Sequence, residues 1–394
     1  MNIILGAVLF ILLSVNFSGA SNVIYLGESE DGFSGTSTFR LDGLIENGDA
    51  DRFSALFMSS DVPNYSMHRL QIELNSPGGS YIEGLKLAEE FKRLGIATLV
   101  KAGDSCYSAC ALAFLGGADR LKDPTMQADQ APKKPNRSLE KTAILGFHAP
   151  YLNVKNSNYE ISNVEEAYRL AVDSISLLIE MADDLQINAS ELPKLLRPGR
   201  DAFFYADTVD AIRTLSIDYK DYSPFMKDLP GITRSMVQNA CINRWYHSSK
   251  SSAYHGYKTA DLTRKEFEEG SELLENGEVG YSFGIKRFKN KNHSGWIAFT
   301  PIKLSDDGKN YLWCMFNGTP YYRTAGSVKE LFEPLNQSND LWKFLNDSET
   351  INIEMHHNFD FHSMRVMDMV PADTNVNDVG TVINQLLVDE KIIN

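Results

Sequence analysis

The chain has no run of lysine or arginine, few cysteines, and only one long apolar run, at its start. Across 394 residues, 38 Lys and Arg stand against 52 Asp and Glu, a net charge of −14. The pI lies near 5.1. Such a surface repels phosphate backbones, so nucleic acid is not an expected partner. No CxxC pair and no nearby histidine joins the cysteines, so no metal is expected there. Nothing in the chain reads as a nucleotide site, and no cofactor is expected. There is no internal repeat and no low-complexity tract. What is present is a core: 43% hydrophobic residues and 11% aromatic ones place the chain among folded proteins. Its length suits two or three domains.

The chain begins MNIILGAVLFILLSVNFSGASN. The run Ile3–Leu13 has the length of a signal-peptide core and is too short to span a bilayer. Ser18, Gly19 and Ala20 offer small residues for cleavage before Ser21. A signal peptide over 1–20 therefore predicts a periplasmic or secreted protein. The start carries no Lys or Arg, and the alternative is an uncleaved N-terminal anchor, the one route to a membrane. No cysteine stands at the cleavage point, so a lipoprotein is not indicated.

The four cysteines are Cys106, Cys110, Cys241 and Cys314. An even number in an exported chain fits disulfides. Cys241 with Cys314 is the natural pair of the C-terminal half. Cys106 and Cys110 lie one turn apart, at the edge of workable geometry. The connectivity stays open.

NVIYLGE and TFRLDGLI read as strands, DADRFSALFMS as a short amphipathic helix, and LQIELNS as a buried strand. PGGS breaks that strand. YIEGLKLAEEFKRLG then sets Ile82, Leu85, Ala88, Phe91 and Leu94 at helical spacing, closed by Gly95. IATLVKAG is a strand, and SACALAFLGG is a small-residue helix stopped by Gly116 and Gly117. This alternation predicts an α/β fold with right-handed crossovers. The polar, Pro-containing stretch 119–142 reads as a loop or flap. AILGFHAP returns to a strand ending at His148. A long helix follows over Asn163–Leu185, and residues to about 220 close the domain as loop, short helix and strand. From residue 222 the aromatic, alternating segments YSFGIKRF, GWIAFTPIKL and KNYLWCMFNG suggest a β-rich module. A terminal helix is expected near NDVGTVINQLLVDEKI. HHNFDFH sets His356, Asn358, Asp360 and His362 on one strand face. A solvated face explains that pattern better than a metal site does.

One pair of segments carries chemistry: LNSPGGS at 74–80 and CYSAC at 106–110. A serine hydroxyl needs a base in reach, an orienting group behind the base, and donors for the oxyanion. Ser108 stands at the head of a helix, whose N–H groups point outward. Gly78 and Gly79 leave their backbone N–H groups unshielded. His148 ends a neighbouring strand and is a candidate to take the proton of Ser108. The bland readings are packing for the serine, a satisfied core histidine, and a tight turn for the glycines.

At these residues the chain resembles the ClpP-like serine peptidases of the ClpP/crotonase fold. The likeness covers roughly residues 23–220 and follows the family's order of elements. N-S-P-G-G with a later H-x-P is fairly specific in combination. The cysteines around Ser108 fit the exported, periplasmic branch. The resemblance implies stacked βαβ units over residues 21–221, followed by a smaller β-rich domain over 222–394. It implies a triad with Ser108 as nucleophile and His148 as general base, and an oxyanion hole from the backbone N–H groups of Gly79 and Ala109. Asp201 matches the family's acid after a two-residue shift. Aligned without that shift, Phe203 stands at the position, and Asp207 is the reserve. The family's serine is commonly followed by methionine, here by Ala109, which leaves a backbone donor unaffected. The interval from Ser108 to His148 is long, the excess falling in the 119–142 loop, which could cover the site.

The implied activity is hydrolysis of a polypeptide substrate, with a homo-oligomeric ring as the family's assembly; export, which leaves a cytosolic ATPase out of reach, makes the expected activity ATP-independent. The competing class is a catalytically silent scaffold whose C-terminal domain binds a protein or glycan. Crotonase-type acyl-CoA chemistry is a third option. Export opposes it, since CoA is cytosolic, and the serine and histidine would stand idle.

Overall fold

The computed structural model describes residues 21–30, 35–63, 68–119, 134–151, 160–187, 191–199, 202–220, 284–289, 294–303, 311–317 and 366–390, with a few positions between 233 and 243. The expectations for residues 1–20, for Cys241 and for HHNFDFH lie outside this set. The chain divides into two units, each discontinuous in sequence. The first comprises residues 1–137, 143–178 and 196–203; the second comprises 138–142, 179–195 and 204–394.

In the first unit, β1 (Asn22–Glu30) and β2 (Gly35–Asp42) form an antiparallel pair. Burial alternates residue by residue along β2, as a strand with one face on a core requires. α1 (Asp49–Ser59) then leads to β3 (Arg69–Asn75), which runs parallel to β2. α2 (Tyr81–Leu94) leads to β4 (Ala97–Val100), parallel to β3. The strand order here is β1-β2-β3-β4, a mixed α/β layer whose sheet is mostly parallel. Parallel neighbours need a crossover, and the amphipathic stretches 49–59 and 81–94 supply it.

The apolar stripes of these helices explain the layer. Phe39 of β2 meets Phe53 of α1 at 5.6 Å, and Phe53 meets Phe91 of α2 at 5.1 Å, both edge to face. All three rings are fully buried. Each contributes about 1.5–3 kcal/mol by leaving water. Ser80 caps α2 by accepting the Glu83 N–H, and Gly95 closes it in the left-handed region.

β5 (Ser105–Tyr107) is a strand that the sequence pattern does not announce. It is set beside the end of β3 by hydrogen bonds from the Ser76 N–H to the Ser105 carbonyl (2.7 Å) and from the Tyr107 N–H to the Ser76 carbonyl (3.0 Å). Asn75 Oδ1 also accepts the Ser105 N–H at 3.2 Å. Arg40 braces the same corner by donating to Asp42, Glu73 and Asp104 at 2.6–3.1 Å. α3 (Ala109–Phe114) follows, buried throughout. It lies so close to α2 that a Cβ on Gly84 would stand 2.3 Å from the Ala109 carbonyl oxygen.

The expected loop over 119–142 requires correction. Within it lies β6 (Arg137–Leu139), with all three residues buried. Polar side chains made this stretch read as loop, and tertiary burial overrides that pattern. β7 (Ile144–Phe147) runs parallel to β5, and α4 (Ile161–Met181) matches the expected long helix.

The second unit contains α5 (Leu192–Leu196), β8 (Phe204–Tyr205), α6 (Val209–Thr214) and β9 (Ile217–Tyr219). The expected aromatic segments form an antiparallel meander of β10 (Gly284–Lys289), β11 (Ser294–Lys303) and β12 (Tyr311–Asn317). The expected terminal helix is α7 (Val379–Asp389). The segment before α7 folds onto α6. Arg213 donates to both oxygens of the fully buried Asp368 at 2.8 and 2.6 Å. The Val209 and Asp210 N–H groups donate to the Thr374 and Ala372 carbonyls.

Candidate active site

β5 delivers the chain to Ser108, and α3 departs from it. Ser108 has φ 57° and ψ −119°. An L-residue rarely adopts this conformation, which costs about 1–3 kcal/mol and persists only where the surroundings enforce it. They do so here. The Ser108 N–H donates to the Gly146 carbonyl of β7 at 2.9 Å, and the Ser108 carbonyl accepts the Leu112 N–H at 3.1 Å. A sharp strand–serine–helix turn is the geometry that lifts a nucleophilic Oγ clear of its backbone.

The hydroxyl is unused. A serine heading a helix ordinarily caps it, as Ser80 does for α2 and Thr208 for α6. Ser108 makes no capping bond, and among the described residues nothing else engages its Oγ.

Gly78 and Gly79 press against this turn. A Cβ on Gly78 would lie 2.7 Å from both the Ser108 Cβ and the Tyr107 carbonyl oxygen. A Cβ on Gly79 would lie 2.0 Å from the Ile45 carbonyl oxygen. With φ at 100° and 143°, both positions call for glycine. The segment is pinned from its other side, where the Ile45 N–H donates to the Gly78 carbonyl (2.8 Å) and the Ser80 N–H to the Ile45 carbonyl (2.9 Å). Ser76 Oγ, which the sequence reading passed over, accepts the Gly78 N–H at 3.1 Å. The Gly79 N–H and the Ala109 N–H have no partner among the described residues, and Gly79 is exposed. Two unpaired N–H groups beside an unpaired hydroxyl are what an acyl-transfer site asks of its oxyanion donors.

His148 lies just past β7 and is buried. Its Nδ1 is 2.6 Å from the Ala149 carbonyl oxygen. A carbonyl only accepts, so Nδ1 carries a proton, and in the neutral ring Nε2 is then the acceptor. The ring stands edge to face with Phe203 at 5.0 Å and beside Tyr151 at 5.1 Å. Phe203 also touches Tyr107 at 5.1 Å. It thus bridges the residue before Ser108 and the histidine. Ser108 and His148 share this neighbourhood but form no hydrogen bond with each other, and among the described residues no carboxylate bonds the His148 ring. Asp201 lies outside the described residues. Asp207, the reserve acid, accepts from Asn375 Nδ2 at 3.3 Å, and burial raises its pKa above the usual carboxylate value.

Cys106 and Cys110 are joined in a disulfide with Cα atoms 5.2 Å apart. It spans the Ser108 turn from two residues before to two after, and both cysteines are fully buried. Cys314 is described only in its main chain, on β12.

A second serine–histidine–carboxylate set was not anticipated. His68 Nε2 lies 2.9 Å from Ser37 Oγ, and His68 Nδ1 lies 3.3 Å from Glu28 Oε1. The β1–β2 register sets Glu28 opposite Ser37. Ser37, however, is fully buried in mid-strand between β1 and β3. No substrate reaches it, so we read it as a buried polar network of the sheet.

Among the described residues no cluster of His, Cys, Asp and Glu could hold a metal ion, and no helix is long and apolar enough to cross a membrane. No family model matches the chain, and no curated protein matches its sequence.

Proposed function

We propose that the chain is an exported, ATP-independent serine peptidase of ClpP-like fold. Ser108 attacks the carbonyl carbon of a peptide bond. His148 Nε2 takes the hydroxyl proton, and the Gly79 and Ala109 N–H groups receive the oxyanion. Collapse expels the amine, which leaves with the proton from His148, and water then releases the acyl group by the reverse path. The substrate is an extended polypeptide, laid beside Gly78 and Gly79 as an added strand. Asp201 keeps its proposed place as the acid. The Ala149 carbonyl supports an alternative orienter, since it fixes the same tautomer an acid would. The exposed Ile161, Val164 and Tyr168 on α4 agree with a homo-oligomer. The disulfide agrees with a periplasmic or secreted setting.

The observation that carries this reading is Ser108 itself. It is held in a strained turn with its hydroxyl unused, against a glycine pair of which the Gly79 N–H is also unpaired. A second reading, the silent scaffold, draws on Phe203. Its ring packs edge to face on His148, whose Nδ1 is already taken by a main-chain carbonyl rather than a carboxylate.

A fluorophosphonate probe separates the two. The mature protein should be labelled, and labelling should vanish in Ser108→Ala and fall steeply in His148→Ala. Ser37→Ala should label as the parent does. A folded parent that takes no label, or label that survives Ser108→Ala, refutes the peptidase.

A further inference from the structure

Ser21, just before β1, is fastened at both of its polar groups. Its N–H donates to the Leu44 carbonyl at 2.8 Å, and its hydroxyl donates to Asp49 Oδ1. The Asp49 side chain is fully buried. It also accepts from the Glu46 N–H at 2.7 Å and from Arg52 Nη2. The end of a domain is poorly ordered unless something holds it, and here a buried carboxylate does. The contact leads directly to the candidate site. The Leu44–Ile45 peptide that accepts from Ser21 through its oxygen donates through its N–H to the Gly78 carbonyl at 2.8 Å. Ile45 then accepts the Ser80 N–H, so that it holds Gly79 from both sides.

We propose that Ser21 is the N-terminus of the mature chain and that its free ammonium is a positioning group for the Gly78–Gly79 strand. Hydrolysis of the Ala20–Ser21 peptide by an export-linked endopeptidase adds water across that bond. The leader departs with a carboxylate, and Ser21 retains an ammonium. A neutral amide facing the Leu44 carbonyl thereby becomes a cation, on the residue whose hydroxyl already meets the buried Asp49 carboxylate. A charge-assisted hydrogen bond is roughly twice as strong as a neutral one. It also polarises the Leu44–Ile45 peptide, which strengthens the bond from Ile45 to Gly78. Removal of the leader thus tightens the strand that presents the Gly79 N–H. Only the consequence for catalysis rests on reading Ser108 as the nucleophile.

The whole chain would be expressed with its leader, and the exported product weighed intact. Its mass should begin at Ser21. That form is compared with one bearing an extra glycine before Ser21, and with Ser21→Ala and Ser21→Thr. Two quantities are read: amide hydrogen exchange at Ile45 and Ser80, and the rate of fluorophosphonate labelling. The extra glycine and Ser21→Ala should each speed exchange about fivefold and slow labelling by a similar factor. Ser21→Thr, which keeps the hydroxyl, should restore both. A product beginning elsewhere, or equal exchange in all forms, overturns the proposal. Exchange that responds while no form is labelled upholds the positioning role and refutes the nucleophile.

Discussion

Replacing Ser108 by glycine should stabilise the protein while ending any chemistry at that position. The conformation at φ 57° and ψ −119° stores about 1–3 kcal/mol for an L-residue. Glycine adopts positive φ freely and releases that energy. Against this, glycine loses about 0.5–1 kcal/mol more conformational freedom on folding than alanine. The lost hydroxyl subtracts nothing, since it has no partner. The balance favours Ser108→Gly over the parent by about 1 kcal/mol, with Ser108→Ala near neutral because it keeps the strained Cβ. The assay is urea unfolding of the parent and both variants, read as a midpoint shift at unchanged slope. In heat, a gain of about 1 kcal/mol amounts to roughly 2–4 °C for a unit of this size. If Ser108→Gly is no more stable than Ser108→Ala, the turn is not strained, and the observation that carries the nucleophile assignment is withdrawn. Ordinary packing serines do not behave this way, which is why the comparison discriminates.

Gly79→Ala should destabilise by about 3 kcal/mol or more in urea and abolish labelling, because positive-φ strain adds to the loss of the Ser80–Ile45 hydrogen bond. The new Cβ meets a main-chain oxygen, which cannot swing aside. Arg213→Met should cost about 3–5 kcal/mol by leaving the buried Asp368 carboxylate without its cation, while the pair Arg213→Met with Asp368→Leu should recover most of that loss in the same unfolding assay. For Asp207, burial raises the folded pKa above the unfolded one. Its contribution is therefore complete below the unfolded pKa and is lost as pH rises through the folded value. Asp207→Asn, which stays neutral, should unfold at a higher midpoint than the parent at pH 7, and the difference should close by about pH 3.

The elements written in long apolar patterns were legible from the sequence. The spans 49–59 and 81–94 are helices because their stripes meet the aromatic core, and the C-terminal meander follows its alternating aromatics. The shortest elements were not. β5 and β6 are three residues each, too short for a period; β5 exists because β3 and β7 hold it, and β6 because its residues are buried. At the site, Ser108 and the glycine pair were legible because turn chemistry demands glycine and places a serine at a helix start. The hold of Ile45 on Gly79, the Phe203 ring on His148, and the Ser37–His68–Glu28 set depend on register and tertiary packing, which no local pattern encodes.

The two serine–histidine sets show that distance alone is a poor guide to a nucleophile. Ser37 has the better hydrogen bond to a histidine, and that histidine has a carboxylate behind it. Yet its backbone is an ordinary strand with neighbours on both sides, and its hydroxyl is out of reach of solvent. The Ser37 hydroxyl is already engaged by His68 and Tyr25 and is buried, so the set has nothing to offer a substrate and contributes only to the sheet. Ser108 has no bonded histidine, but it has strain, partial exposure, an unused hydroxyl and adjacent unpaired N–H groups. A polar group without a protein partner adds nothing to stability, and where it is buried it costs free energy. A fold that concentrates several such groups at one turn gains no stability from them that a plain packing turn would not give. A substrate's carbonyl oxygen would satisfy the two unpaired N–H groups and its carbonyl carbon would engage the hydroxyl, which is why the turn around Ser108 is the better candidate for a site of reaction.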